Sequence, residues 1–165
     1  MRRINTGLSL VVAALVLGAC NDDSIDLDVA EIFAADLSGA SENPPRTTDA
    51  TGIALFELNE DGDELRYSLT ANSLDGFTQA HIHIGGPTEN GPIAVYLFGP
   101  HGAPGVSVPI VLKTGTIREE DLNPQNFEGS FEDFLDEIRA GNTYVNAHST
   151  TFPGGEIRGQ IDEDL

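Results

Sequence analysis

The strongest constraint on the fold is a series of short β-type segments, each bounded by turn-forming residues. Such runs lie at residues 31–37, 52–58, 64–71, 79–84, 93–98, 108–117, 143–148 and 156–161. This number and spacing of runs is typical of an antiparallel sandwich. Asp61 and Gly62, between the second and third runs, predict a hairpin because glycine readily adopts a positive φ. We therefore expect an all-β antiparallel β-sandwich of about eight strands.

One segment departs from the β pattern and predicts a short helix at about residues 130–140. Its apolar residues recur at the spacing of one helical face; they are Phe131, Phe134, Leu135 and Ile138. Ser130 and Asp133 form a capping box at its start, and Gly141 stands just past its end. We expect this helix to cover one end of the sandwich.

The N-terminal residues predict a leader followed by a lipid anchor. Arg2 and Arg3 precede an uncharged, largely apolar run at residues 8–17, which is shorter than the roughly 20 apolar residues that span a bilayer. The run ends in the sequence LGAC, which resembles a bacterial lipobox with Cys20 as the lipidated residue. An ordinary secretory signal with an incidental cysteine is the alternative. The expected divisions are a signal peptide at 1–19, an acidic tether at 20–29 and the sandwich domain at 30–165.

Composition excludes several classes of function. The chain has 8 basic and 27 acidic residues, for a formal net charge of −19. So acidic a surface repels nucleic-acid phosphates, and we expect no nucleic-acid partner. The single cysteine excludes both an intramolecular disulfide and a cysteine-based zinc cluster. The sequence also lacks a nucleophile elbow, a P-loop and a dinucleotide-binding fingerprint, so hydrolase, kinase and dehydrogenase activities have no support.

Three groups of residues, in order along the chain, resemble the CHRD domain, a family named after the extracellular protein chordin. They are residues 40–45 (ASENPP) with 50–52, residues 80–85 (AHIHIG) with 90–92, and residues 144–148 (YVNAH) with 153–160 (PGGEIRGQ). The resemblance covers about residues 31 to 161 and implies an immunoglobulin-like β-sandwich. It implies a module of extracellular and bacterial envelope proteins without a defined activity. We therefore expect a non-catalytic binding module, anchored by lipid on Cys20 in the periplasm or at the outer membrane or cell surface, with a protein or metal partner that the sequence does not name.

Histidines supply the candidate chemistry. Period-two alternation sends His81 and His83 to one face of their strand, and His148 to the polar face of another. If the two strands are neighbours, three imidazoles converge on the outer surface of one sheet, and such a set suits Cu(II) or Zn(II). The structural alternative is that His81 and His83 bond the loop at 85–87 and Asn146 and thereby fix that loop.

The remaining candidates lie around this group. Glu42 or Glu156 could supply a carboxylate as fourth ligand, and the spacing does not choose between them. Glu156 and Arg158 are expected to face outward on the last strand, where a modest surface ion pair is the simplest role. His101 lies in a turn and is expected to be solvated. Copper–zinc superoxide dismutase also has histidines outside a β-sandwich, but its ligand clusters and disulfide are absent from this sequence, so the analogy gives dismutase activity little support.

Overall fold

The structure is a computed structural model and describes residues 29–107 and 110–163. Its elements are β1 (Glu31–Ser38), β2 (Thr51–Leu58), β3 (Leu65–Asn72), β4 (Phe77–Ile84), β5 (Ile93–Phe98), β6 (Ile110–Ile117), α1 (Phe131–Arg139), β7 (Thr143–Ser149) and β8 (Ile157–Gln160), with short 3-10 turns at Gly39–Ser41 and Glu119–Asp121. Over these residues, the all-β class, the number of strands and the single short helix are confirmed. The predicted leader, Cys20 and nearly all of the tether lie outside the described residues.

All eight strands join one antiparallel sheet in the order β5-β4-β7-β8-β1-β2-β3-β6. The predicted hairpin connects β2 to β3, with Leu58 paired with Leu65 and Gly62 at a φ of 73°. The Asn59 side-chain oxygen accepts hydrogen bonds from the backbone N–H groups of Asp63 and Glu64, which fixes the turn. Local sequence therefore sets this register.

The sheet folds over so that its two edge strands, β5 and β6, approach each other. The Tyr67 hydroxyl on β3 donates to the Leu97 carbonyl on β5 at 2.7 Å, which links the two halves. Apolar side chains from all eight strands fill the space between them, and they include Phe33, Phe56, Leu69, Ile82, Val95, Val111, Val145 and Ile157. Burial of this surface supplies the main driving force for the fold.

Helix α1 covers core residues as its pattern predicts. Its four periodic apolar residues are all buried. Ser130 and Asp133 form the expected reciprocal capping box, which satisfies backbone N–H groups that the first helical turn leaves free. Gly141 follows the helix at a φ of 69°, a conformation that glycine adopts with little strain. In the part of the chain that the structure describes, no helix has the length and apolar character needed to cross a membrane.

Strand β7 carries the part of the fold that positions the functional residues. It lies between β4 and β8, and His81 on β4 is opposite Asn146 while His83 is opposite Tyr144. All seven residues of β7 are buried. A strand can be buried along its whole length only if both faces of the sheet are covered. The expectation that the histidine face lies open to solvent is therefore wrong, because the loops on either side of Gly91 and Pro153 fold over it.

Candidate metal centre

The three histidines of β4 and β7 meet in one buried cluster, which we call the histidine cluster: His81, His83 and His148. One ring nitrogen from each lies within 4.8 Å of those of the other two. His81 Nδ1 is 3.1 Å from His148 Nε2. The side chains are almost fully buried, with exposed fractions of 1%, 9% and 7%, respectively. The predicted convergence is present, but inside the protein instead of on its surface.

Two backbone carbonyls, on the side of the rings away from the cluster, fix the tautomers of His83 and His148. His83 Nδ1–H donates to the Gly91 carbonyl at 2.8 Å, and His148 Nδ1–H donates to the Pro153 carbonyl at 3.0 Å. A carbonyl only accepts, so both Nδ1 atoms carry the proton and both Nε2 atoms of the neutral rings carry a lone pair. Those Nε2 atoms point into the cluster. Histidines that ligate metals are oriented by outer hydrogen bonds of this kind.

Asn146 adds a third inward acceptor. Its side-chain oxygen lies 3.1 Å from His83 Nε2 and 3.0 Å from His148 Nε2. The amide nitrogen is directed toward the buried carboxyl of Glu42, whose pKa it helps to lower, so the oxygen faces the histidines. Two lone-pair nitrogens and an amide oxygen thus face one another, and His81 Nδ1 is the one group of the cluster that can place a proton among them. His81 Nε2 is itself buried without a hydrogen-bond partner among the described residues.

Burial keeps the imidazoles neutral. Desolvation, followed by the nearby rings of His148 and His83, lowers the pKa of His81 to about 3. Desolvation also lowers the pKa of His83 and that of His148. A buried imidazole resists protonation because the charged form loses its hydration. At neutral pH the cluster therefore offers unprotonated nitrogens, the form that binds metals.

Three side chains, those of His83, Tyr144 and Arg158, form a stack. The His83 and Tyr144 rings are 4.8 Å apart and nearly parallel, at 6°. The Arg158 guanidinium carbon lies 3.4 Å from the Tyr144 ring centroid. Sequence reasoning missed Tyr144, although the alternation that selected Asn146 and His148 puts it on the same face.

Arg158 lies on the face of β8 opposite the core, as expected, but the expected exposure on that face is wrong. Its exposed fraction is 1%, and it donates to the Gly86 carbonyl at 2.7 Å and to the Asn90 side-chain oxygen at 3.3 Å. The loop that follows β4 covers this face of β8, so the arginine bonds that loop instead of forming a surface ion pair. Desolvation lowers the pKa of Arg158, with Tyr144 and Glu42 opposing that shift.

The two glutamates proposed as a fourth ligand do not join the group of ligand atoms. Glu156 is buried, and its carboxylate accepts from the Thr48 hydroxyl at 2.6 Å and from the Ser149 hydroxyl. Its role is to hold the turn after β7. Glu42 is buried beside Asn146, and its Oε1 has no hydrogen-bond partner among the described residues. Burial raises the pKa of Glu42, whereas Arg158 lowers it.

Other side chains complete the surroundings. Tyr96 on β5 packs edge-on against His81 with ring centroids 4.7 Å apart, and it is 49% exposed. Sequence reasoning missed it because β5 pairs with β4 through register shifts at both histidines. His101 is exposed, as expected, and its ring packs on the Phe98 ring with centroids 4.5 Å apart.

The fold and the histidine cluster together define an all-β domain in which two neighbouring strands contribute a buried group of imidazoles. The CHRD domain matches this chain over residues 33–161, and the chain belongs to that family. No curated protein and no solved structure matched it.

Proposed function

We propose that this CHRD domain is a metal-binding module of the bacterial cell envelope. One copper or zinc ion would be held by His81, His83 and His148 for storage, delivery or redox protection, without turnover of a substrate. The observation that carries the proposal is the convergence of three neutral ring nitrogens within 4.8 Å. Imidazole nitrogen is a preferred donor for both metals.

The hydrogen bonds of the cluster support a cation at its centre. The Nε2 atoms of His83 and His148 are acceptors because their Nδ1 protons are held by carbonyls, and both face the acceptor oxygen of Asn146. A buried acceptor without a donor costs about 1–3 kcal/mol. Without an ion, His81 Nδ1–H can donate to His148 Nε2 at 3.1 Å, which leaves His83 Nε2 facing only the Asn146 oxygen. A metal ion would satisfy the two nitrogens at once. Structural histidines, in contrast, normally pair a lone pair with a donor.

Metal titration of the purified protein tests this function. Calorimetry with Cu(II) and Zn(II) should show one ion bound per chain, and His83→Ala should abolish that binding. His101→Ala is the matched control because His101 is exposed and outside the cluster. Heat of binding that survives His83→Ala would exclude the cluster as the site.

The envelope location rests on the lipobox-like sequence that ends at Cys20. Lipidation there would use the chain's only thiol as a thioether, and the acidic residues that follow would form a solvated tether. Mass spectrometry of the protein from a bacterial membrane fraction should find Cys20 as the N-terminal residue carrying a lipid. An unmodified leader would contradict the anchoring.

A second candidate function is binding of a small polar ligand. A cleft of about 390 Å³ lies beside the cluster, and its lining includes Glu42, Arg158 and Gln160. The Oε1 atoms of Glu42 and Gln160 are both buried without a partner among the residues described. A ligand with N–H donors would satisfy them.

Thermal unfolding in the presence of small amines and amino acids tests the second candidate. A ligand at 100 times its dissociation constant should stabilise the protein by about 2.7 kcal/mol. Glu42→Gln should remove most of that gain because it weakens the acceptor. Unchanged unfolding with every compound would reject the cleft as a site for this ligand class.

A further inference from the structure

We propose that the histidine cluster selects a monovalent copper ion, Cu(I), over Zn(II) and Cu(II). This inference rests on the proposed metal-binding function and adds the charge and oxidation state of the ion. It follows from the charge of the donors, their burial, the fixed charges around them and the number of donors.

The donor set is electrically neutral. It consists of three imidazoles and, beside them, the amide oxygen of Asn146. Among residues 29–107 and 110–163, no carboxylate belongs to the group of ligand atoms. Glu156 is held by Thr48 and Ser149, and Glu42 lies on the far side of Asn146. An ion bound here keeps its full charge.

Burial makes that charge decisive. The electrostatic cost of moving an ion from water to a low-dielectric interior scales with the square of its charge, so a divalent ion costs about four times as much as a monovalent ion of similar size. The histidines are 1–9% exposed. A neutral and nearly dry site therefore disfavours Zn(II) and Cu(II) far more than Cu(I).

The fixed charges nearby do not offset this penalty. Arg158 lies behind Tyr144, which stacks on His83, and Glu42 lies behind Asn146. One charge is positive and the other negative, so their effects on the centre oppose each other. The positive charge of Arg158 is separated from His83 only by the Tyr144 ring, and like charges repel. A second positive charge on the metal would meet the same repulsion.

The number of donors points to the same ion. Three nitrogens meet the needs of Cu(I), which is stable with three ligands. Structural Zn(II) sites are four-coordinate, and Cu(II) favours tetragonal sites. Either divalent ion would need a further ligand, from the Asn146 side-chain oxygen beside the rings or from water. Tyr96 packs edge-on against His81, and the three histidines are 1–9% exposed, so solvent has little access to the ion.

Competition with chromogenic chelators measures the preference, with Cu(I) titrated under anaerobic, reducing conditions and Cu(II) and Zn(II) titrated without reductant. The full chain carries Cys20→Ser so that its only thiol cannot bind copper. Cu(I), Cu(II) and Zn(II) are each tested with the chelator suited to that ion. Cu(I) should bind at one ion per chain, with an affinity at least about 100-fold above that for Zn(II), which corresponds to about 2.7 kcal/mol.

Variants assign the binding to the cluster. His83→Gln and His148→Gln should each reduce Cu(I) affinity by more than about 100-fold, beyond the effect of losing an outer-shell partner. His101→Gln should leave it unchanged. Circular dichroism verifies that each variant folds, and the wild-type comparison of the three ions needs no variant.

Each outcome separates this inference from the function on which it rests. Zn(II) or Cu(II) bound as tightly as Cu(I) would overturn the preference for Cu(I) and leave the metal-binding function standing. Failure of all three ions to bind would overturn both. Cu(I) binding that is unaffected by both glutamine variants would also overturn the inference, because the ion would then be elsewhere.

Discussion

Two adjacent glycines provide a sharp test of how Asn146 is held at the histidine cluster. Gly155 has a φ of +115°, and a Cβ added to it would lie 2.5 Å from Glu42 Oε1 and 2.9 Å from Asn146 Nδ2. A Cβ on Gly154 would have Arg46 as its nearest neighbour at 3.9 Å, an ordinary contact. Gly155→Ala should therefore disturb the cluster, and Gly154→Ala should not.

The expected magnitude has two parts. A side chain in the left-handed region costs about 1–3 kcal/mol. The added methyl group also overlaps Glu42 and Asn146, which lie in a packed interior, at a cost of about 1–3 kcal/mol. The total is about 2–6 kcal/mol for Gly155→Ala. Gly62→Ala isolates the backbone part, because Gly62 has a φ of +73° and nothing within 4 Å of its added Cβ.

Urea unfolding of the metal-free protein measures the three variants. Gly155→Ala should lose the most stability, Gly62→Ala about 1–3 kcal/mol, and Gly154→Ala less than about 0.5 kcal/mol. Metal affinity should fall in Gly155→Ala alone, because the displaced Asn146 no longer places its side-chain oxygen beside the Nε2 atoms of His83 and His148. Equal losses of stability in Gly155→Ala and Gly62→Ala would refute the contact with Asn146 and Glu42.

Three further predictions concern the core, acid stability and the surface of the cluster. Phe134→Ala should destabilise the domain by about 3–5 kcal/mol in urea unfolding, because Phe134 is fully buried; a loss below about 1 kcal/mol would show that α1 does not cover the core. The metal-free protein should lose stability as the pH falls from 6.5 toward about 3, because unfolding lets His81 take up a proton that burial opposes. His81→Gln should flatten this dependence of stability on pH. If the dependence is as steep in His81→Gln as in the wild type, His81 is not a buried neutral ring. Tyr96→Ala should fold, since Tyr96 is half exposed. It should lower the ratio of Cu(I) affinity to Zn(II) affinity, because it admits water beside His81. An unchanged ratio would show that Tyr96 does not exclude water.

Local sequence patterns were sufficient to predict much of this fold. Strand positions follow from alternation and turn residues, and the β2–β3 hairpin follows from Asp61 and Gly62 at its turn. Helix α1 follows from its capping box and apolar spacing. Alternation also put His81 and His83 on one face, because successive side chains of a strand point to opposite sides.

The long-range features of the fold could not be predicted from local sequence patterns. The pairing of β4 with β7 joins His81 to Asn146, which are far apart in sequence. Alternation divides a strand into two faces, but it does not say whether loops cover the polar one. The burial of Arg158 and Glu156 depends on this cover, since Arg158 bonds the loop at Gly86 and Glu156 bonds Thr48 in the segment before β2. Polar residues on one face predict exposure only where the sheet has an open side.

The proposed metal centre is most directly tested by X-ray absorption at the copper edge of the loaded Cys20→Ser protein. We predict a Cu(I) edge, three nitrogen scatterers in the first shell, and outer-shell scattering from three imidazole rings. One of these three rings should be lost in His148→Gln. A spectrum with fewer than two imidazoles, or with oxygen ligands alone, would contradict the assignment of the ion to these strands.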